Sequence, residues 1–377
     1  MEKLVPGLEG VPIMESEIGF INGLEGILEY RGISIEELAE KSTYEEVAYL
    51  LLFGKLPTRD ELKNFDQDLR THRRVKYRIL DMMKCMPENG HPMDMLQASV
   101  AAMGMFYPAR DIRDETQRYW STIRLIAKMP TIVAAFERMR HGDEPVRPRD
   151  DLSHAANFLW MLNEEEPDPL DARIMDVCLI LHAEHTMNAS TFSGLVVGST
   201  EADPYTMVSS AIGALTGPLH GGANEQALKM FQEIETVDNA RPFIEARLAA
   251  KQKIMGMGHR VYKVKDPRAN ALQGLALKLF EAKGEHPLYK VAQEVEKVIS
   301  ERVGAKGIAS NVDFYSGVVY DKLGIPIDQF TPIFAIARVA GWLAHWHEQL
   351  KNNRIFRPTQ VYTGGHQSPY TSSEQRS

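Results

Sequence analysis

Three helix starts fall within 28 residues of one another, at Ser34-x-x-Glu37, Thr43-x-x-Glu46 and Thr58-x-x-Glu61. In this pattern a hydroxyl accepts the backbone N–H three residues on, and the glutamate reaches back to the hydroxyl residue's own N–H. Each opens a segment with apolar residues at helical spacing, such as Val47, Leu50 and Leu51, and Gly54 follows as a left-handed stop. The chain downstream continues in the same manner. Asp111 to Met129 reads as a charged amphipathic helix, with Pro130 in the first turn of the next, which runs to Gly142. Leu170 to His185 carries Ile174, Val177, Cys178 and Leu181 on one stripe. Asp266-Pro267 caps a helix with Leu272, Leu275, Ala276 and Leu279, and Pro287 opens another with Val291, Val295, Val298 and Ile299. Ile333 to Trp346 is apolar on most faces and reads as a buried helix. Strand signals are confined to the first 31 residues, where Ile18–Ile21, a turn at Asn22-Gly23, and Gly26–Tyr30 read as small hairpins. The implied fold class is all-α with small N-terminal β-hairpins.

At 377 residues, 44% of them hydrophobic, the chain can build a large and a small lobe. Glycine- and proline-marked junctions at Gly213–Gly222 and Leu323-Gly324-Ile325-Pro326 bracket its middle. They divide it into a large helical domain, residues 1–218 and 327–377, and a smaller inserted helical domain, residues 219–326. The polar tail from Thr363 reads as loose. A net charge of −8 leaves no positive excess for a nucleic-acid backbone, though a local group of basic residues can still hold a small anion. Cys85 and Cys178 are the only cysteines and form no CxxC, which excludes a disulfide framework and favours a reducing compartment. The opening MEKLVPGLEGVP has no apolar stretch of the signal-peptide kind, and no run of about 18 apolar residues exists to span a membrane. A cytoplasmic location is expected, and the sequon Asn188-Ala189-Ser190 is read as chance.

Five segments of the second half concentrate chemistry: HAEHTMNAST (182–191), GPLHGGANEQAL (217–228), GMGHRVYKVKDPR (256–268), SNVDFYSG (310–317) and the arginines Arg338, Arg354 and Arg357. His182-Ala183-Glu184-His185 looks like a zinc signature, but it is neither HExxH nor HxxEH and no third ligand follows nearby, so no metal is expected. His220 precedes Gly221-Gly222 and a helical pattern. The positive end of a helix disfavours imidazolium, and a neutral imidazole there can donate to a developing oxyanion; the structural reading is a turn histidine. Gly256-x-Gly258-His259 does not meet the dinucleotide pattern; its glycines suit close approach of backbone to a flat or charged ligand, with Lys263, Lys265 and Arg268 following. The plain alternative there is a solvated loop. Asp313, among Val312, Phe314 and Tyr315, is expected to have its pKa raised by desolvation, as suits a base; the plain alternative is a helix N-cap. Two histidines and one carboxylate in such settings point to acid–base chemistry on a small anion.

Taken together and in order, GPLHGGANEQAL, GMGHRVYKVKDPRA and NVDFYSG resemble the three active-site segments of the citrate synthase family. YRGISIEELAEKSTYEEVAYLLLFGKLP resembles its N-terminal region and RPTQVYTG its C-terminal one, so the resemblance covers nearly the whole chain. It implies a predominantly helical fold whose small lobe closes over the substrates, and condensation of oxaloacetate with acetyl-CoA without metal, nicotinamide or other cofactor. By resemblance, His220 donates to the acetyl-CoA carbonyl, Asp313 takes the methyl proton, and His259 donates to the oxaloacetate ketone. His185, Asn188, Arg268 and Arg338 match oxaloacetate positions, with Arg357 supplied across a homodimer interface. Gly256, Gly258, Lys263 and Lys306 are the expected CoA-binding residues. Enzymes of 2-methylcitrate synthesis share these motifs and use propionyl-CoA, one methylene longer, which a pocket discriminates by about 1–3 kcal/mol. A catalytically inactive binding homologue and a metal-dependent hydrolase are the readings of other classes.

Overall fold

The computed structural model describes residues 4–109, 111–259 and 261–376. Its sheet is one antiparallel meander, β1 (Gly19–Asn22), β2 (Ile27–Tyr30) and β3 (Ile33–Ser34), with Gly19 opposite Tyr30 and Asn22 opposite Ile27. The first turn is four residues, 23–26, rather than a two-residue Asn-Gly turn. Asn22 is the last strand residue, and its Oδ1 accepts the N–H groups of Leu24 (3.1 Å) and Glu25 (3.3 Å). Strand structure also runs slightly past residue 31, because Arg31 and Gly32 adopt positive φ and turn the chain into β3.

Sixteen α-helices follow among the described residues: α1 (Ile35–Lys41), α2 (Tyr44–Phe53), α3 (Arg59–Thr71), α4 (Tyr77–Lys84), α5 (Pro92–Phe106), α6 (Glu115–Arg140), α7 (His154–Asn163), α8 (Pro169–His182), α9 (Ala189–Gly198), α10 (Pro204–Leu215), α11 (Ala223–Ile234), α12 (Val237–Ala249), α13 (Pro267–Lys283), α14 (Pro287–Val303), α15 (Val312–Lys322) and α16 (Phe330–Lys351). The expected caps are in place. Ser34, Thr43 and Thr58 accept the amides of Glu37, Glu46 and Glu61, and only Thr58 completes the reciprocal box, through Glu61 (2.8 Å). Gly54 ends α2 at φ 79°.

Two helix boundaries differ from expectation. Pro130 does not start a helix; α6 runs through it from Glu115 to Arg140. A proline removes one helical hydrogen bond, but Leu125 to Glu137 are buried without interruption, and that packing outweighs the local loss. The stripe read to His185 stops at His182, so His182 and His185 do not share a helix face.

The core is organised around α16. Every residue from Phe330 to Trp346 is buried, and the helix packs against α2, α6, α8, α9 and α10. Helices α11 to α15 pack largely on one another, α13 and α11 against α15 and α12 against α14. Among the described residues no helix is long and apolar enough to cross a membrane.

Candidate active site

The turn after α8 is tied down by buried polar contacts. Tyr30 Oη donates to Glu184 O (2.9 Å), and Glu184 Oε1 accepts from Thr186 N and His345 Nε2 (2.9 Å). Gly341 of α16 makes room for this turn, since a Cβ there would lie 2.5 Å from Glu184 Oε2. Thr186 takes positive φ, and Asn188 caps α9 with its Oδ1 on the amides of Ser190 and Thr191, both 3.1 Å. Its Nδ2 donates to the carbonyls of His185 and Thr186. The Asn188 amide is therefore occupied at both ends in building the turn.

The turn delivers His185, buried, with its ring 5.1 Å from that of His259 and Nε2 3.3 Å from Tyr262 Oη. Burial first, and then the nearby Arg268, His259, Arg338 and His220, hold its pKa well below the ordinary value. These groups thus converge on His185, although Arg268 lies 83 residues further along the chain and Arg338 153.

His220 lies in the turn before α11. Its Nε2 accepts the backbone N–H of Ser190 (3.2 Å), which is shared with Asn188 Oδ1, and lies 2.9 Å from Ser190 Oγ. Trp342 Nε1 in turn donates to that hydroxyl (3.1 Å). A main-chain N–H can only donate, so Nε2 is unprotonated and Nδ1 carries the proton. The pKa is lowered to about 4, as the sequence implied, but the first cause is burial and the second Arg338; the helix end is not the principal one.

His259 shows the opposite tautomer. The amides of Val261 (3.0 Å) and Tyr262 (3.3 Å) both point at Nδ1, which leaves the proton on Nε2. Burial, and then Arg268, lower its pKa to about 4.

Asp313 is the second residue of α15, and the N-cap is Asn311, whose Oδ1 accepts the Asp313 amide (3.0 Å). Asp313 is half-buried, and its Oδ1 is buried with no hydrogen-bond partner. Burial pushes its pKa up to about 7, against the opposing pull of Arg268 and Arg338. A carboxylate in this state is a competent base near neutral pH.

Two guanidiniums complete the site. Arg268, in the first turn of α13, pairs in two-point fashion with Asp266 (3.0 and 2.7 Å), both buried. Arg338, at the centre of α16, donates from Nε to His182 O (2.6 Å) and lies 4.6 Å over the Phe334 ring. Burial drops its pKa to about 10. His182 belongs to this framework: its Nδ1 lies 2.7 Å from Cys178 O.

The remaining expected residues fall into two sets. Gly256 (φ 73°) and Gly258 (φ 80°) lie on the loop that pairs with residues 309–311, and a Cβ on Gly256 would sit 2.8 Å from Phe314 Cα. The close approach that Gly256 allows is therefore to α15 and holds Asp313 beside His259's loop. Lys263 and Lys306 are exposed on adjacent turns, since a Cβ on Gly307 would lie 2.8 Å from Lys263 O. Arg357 is exposed beyond α16, donates to Pro358 O (3.0 Å), and is not brought to the site of its own chain.

Compared with known proteins, residues 7–359 match the family model described as citrate synthase, C-terminal domain. The chain is 60% identical to the citrate synthase of Synechocystis sp., over 98% of this chain and 93% of that one. The chain belongs to the citrate synthase family. The citrate synthase of Acidithiobacillus ferridurans is 53% identical over 98% of both chains. Among solved structures, citrate synthase from Pyrobaculum aerophilum superposes with a TM-score of 0.92 at 43% identity, covering 99% of this chain and 95% of that one. The Thermoplasma acidophilum enzyme, solved as a ternary complex with carboxymethyl coenzyme A and oxaloacetate, gives 0.94 at 33% identity over the whole of both chains. The family reaction joins acetyl-CoA to oxaloacetate. The propionyl-CoA alternative gains no support from relatives that carry the citrate synthase name.

Sequence reasoning missed the residues that hold the reacting groups: Ser190, Trp342, Tyr262, Asp266 and the buried Glu184–His345 pair. Of these only Asp266 carried a signal, as a cap before Pro267.

Proposed function

We propose that this site condenses oxaloacetate with acetyl-CoA, with Asp313, His220 and His259 as the reacting groups. The observation that carries the reading is the opposed protonation of two half-buried, neutral imidazoles. His220 has a free donor at Nδ1 and His259 at Nε2, and the Asp313 Oδ1 has no partner. Asp313 takes a proton from the acetyl methyl group while His220 Nδ1–H donates to the thioester oxygen, so that enol rather than enolate charge develops. The new carbon–carbon bond forms to the oxaloacetate ketone carbon, and its oxygen takes a proton from His259 Nε2. Water then cleaves the citryl thioester to citrate and CoA. Arg268 and Arg338, with His185, bind the two carboxylates of oxaloacetate, since planar guanidiniums suit two-point pairing. Asn188 shapes the same pocket through its turn. Lys263 and Lys306 bind CoA phosphates, with Gly256 and Gly258 in the adjoining loop. The chemistry uses no cofactor.

Two further elements belong to this reading. Residues 219–326 move as a small domain against 1–218 and 327–377, closing to exclude water from the enol. The protein is a homodimer, with Arg357 entering the partner's site. In support, α5 exposes Ala98, Ala101 and Met105 on one apolar stripe, and Arg357 stands free of its own site. The test is release of free thiol from acetyl-CoA. It is expected only with oxaloacetate present; a flat trace with both substrates at millimolar levels would overturn the assignment.

A further inference from the structure

The loop that carries His259 is gripped from outside the site. Lys263 N–H donates to Gly23 O (2.8 Å), in the turn between β1 and β2, 240 residues earlier in the chain. At the same point the two backbones touch. A Cβ built on Gly23 would lie 2.6 Å from the carbonyl carbon of Val261, closer still to its oxygen, and 3.1 Å from Val261 Cγ1. The turn is itself fixed by Asn22 Oδ1 on the amides of Leu24 and Glu25. Gly307 also approaches this segment, where a Cβ would lie 2.8 Å from the Lys263 carbonyl oxygen, so residues 261–263 are contacted by two glycine turns. The amides of Val261 and Tyr262 are the ones that point at His259 Nδ1.

We propose that the β1–β2 turn positions His259, with Gly23 as a positioning residue that acts through the Val261–Lys263 backbone. Gly23 sets where Val261 and Lys263 lie, the amides of Val261 and Tyr262 set which ring nitrogen of His259 is protonated and where it points, and the protonated nitrogen meets the substrate. Gly23 is not in the left-handed region, so alanine there brings no backbone strain of its own; its methyl group acts only by displacing Val261. The inference rests on the role given to His259 above, and the experiment separates the two.

The experiment is a double-mutant cycle on the full-length protein, with kcat and KM measured for wild type, Gly23→Ala, His259→Ala and the pair. Gly23→Ala is expected to lower kcat at least about tenfold, a displacement of the order that costs one to two decades in rate. Added to His259→Ala, it should cost nothing further, because the group it acts through is gone. Unchanged kcat in Gly23→Ala, or losses that multiply in the pair, would overturn the inference. Near-normal kcat in His259→Ala would instead remove His259 from the reaction. Asn22→Ala adds no bulk and loosens the same turn, and it carries the test if Gly23→Ala does not fold. It should give a smaller loss that also vanishes in the His259→Ala background, and a loss that persists there counts against the inference. Leu24→Ala, at the exposed tip, should leave kcat unchanged, and a loss matching that of Gly23→Ala would show a general effect of the turn.

Discussion

Asp313→Asn should make the protein more stable as it makes it inactive, and the gain should depend on pH. The desolvated carboxyl has its pKa raised from 3.8 to about 7. A raised folded pKa means that the native state binds this proton more tightly than the unfolded chain does. The stability it gives is fully present below about pH 4 and is lost as pH rises through about 7. Between pH 5 and pH 8 the wild-type protein loses about 2–3 kcal/mol on this account, at about 1.4 kcal/mol per unit of pH over the range where only the unfolded side chain is ionised. Asparagine cannot ionise and has the same shape, so the variant keeps that amount. For 377 residues the unfolding entropy is about 0.8 kcal/mol per degree, so Tm of the variant relative to wild type should rise by about 3 °C between pH 5 and pH 8. Scanning calorimetry of both proteins at the two pH values measures this directly. Turnover should fall about 10²–10⁴-fold, as for loss of a general base. A Tm difference that does not grow with pH would refute the desolvated state of Asp313, and near-normal kcat would remove it from the base role.

Wild-type kcat/KM should rise as pH passes about 7, as Asp313 ionises, with no additional limb between pH 5.5 and pH 9 from His220 or His259, whose pKa values near 4 keep them neutral; a stopped-flow pH profile checks this. Mixing Arg357→Ala with His259→Ala under subunit exchange should restore up to about half the wild-type activity per heterodimer, since one of its two sites then carries neither lesion. If Arg357 served its own chain, mixing would restore nothing. Gly341→Ala should cost about 1–3 kcal/mol in denaturant unfolding and raise KM for oxaloacetate, because the new methyl group overlaps the Ala183 carbonyl and Glu184 in the turn that carries His185.

Local chemistry was legible in the sequence. The caps at Ser34, Thr43 and Thr58 depend on residues three apart, and the stop at Gly54 on one residue, so the pattern carries them, although only at Thr58 does the glutamate close the reciprocal box. The buried helix around Arg338 was visible because it is apolar on nearly every face. Pro130 misled because burial of α6 outweighs what a proline costs its own turn. The end of α8 was invisible because it is set by distant residues: Tyr30 holds Glu184 from 154 positions away, and His345 from 161. The same holds in the site. Motifs named His220, His259 and Asp313, yet the proton positions of the two imidazoles depend on Ser190 and on the Val261–Tyr262 backbone. Those amides belong to every residue type but proline and leave no mark in a one-letter string.

That last property has a consequence for how such a site tolerates mutation. Where a side chain fixes a tautomer, any of many single substitutions can erase it. Here the deciding donors at positions 190, 261 and 262 are peptide groups, so side-chain changes at those positions leave the donors in place and proline alone deletes one. The sensitive events are those that alter chain length or loop path, such as an inserted or deleted residue between 259 and 262, which would slide the donors out of line without touching any reacting group. Insertions of a single residue in that span should therefore be more damaging than most replacements within it.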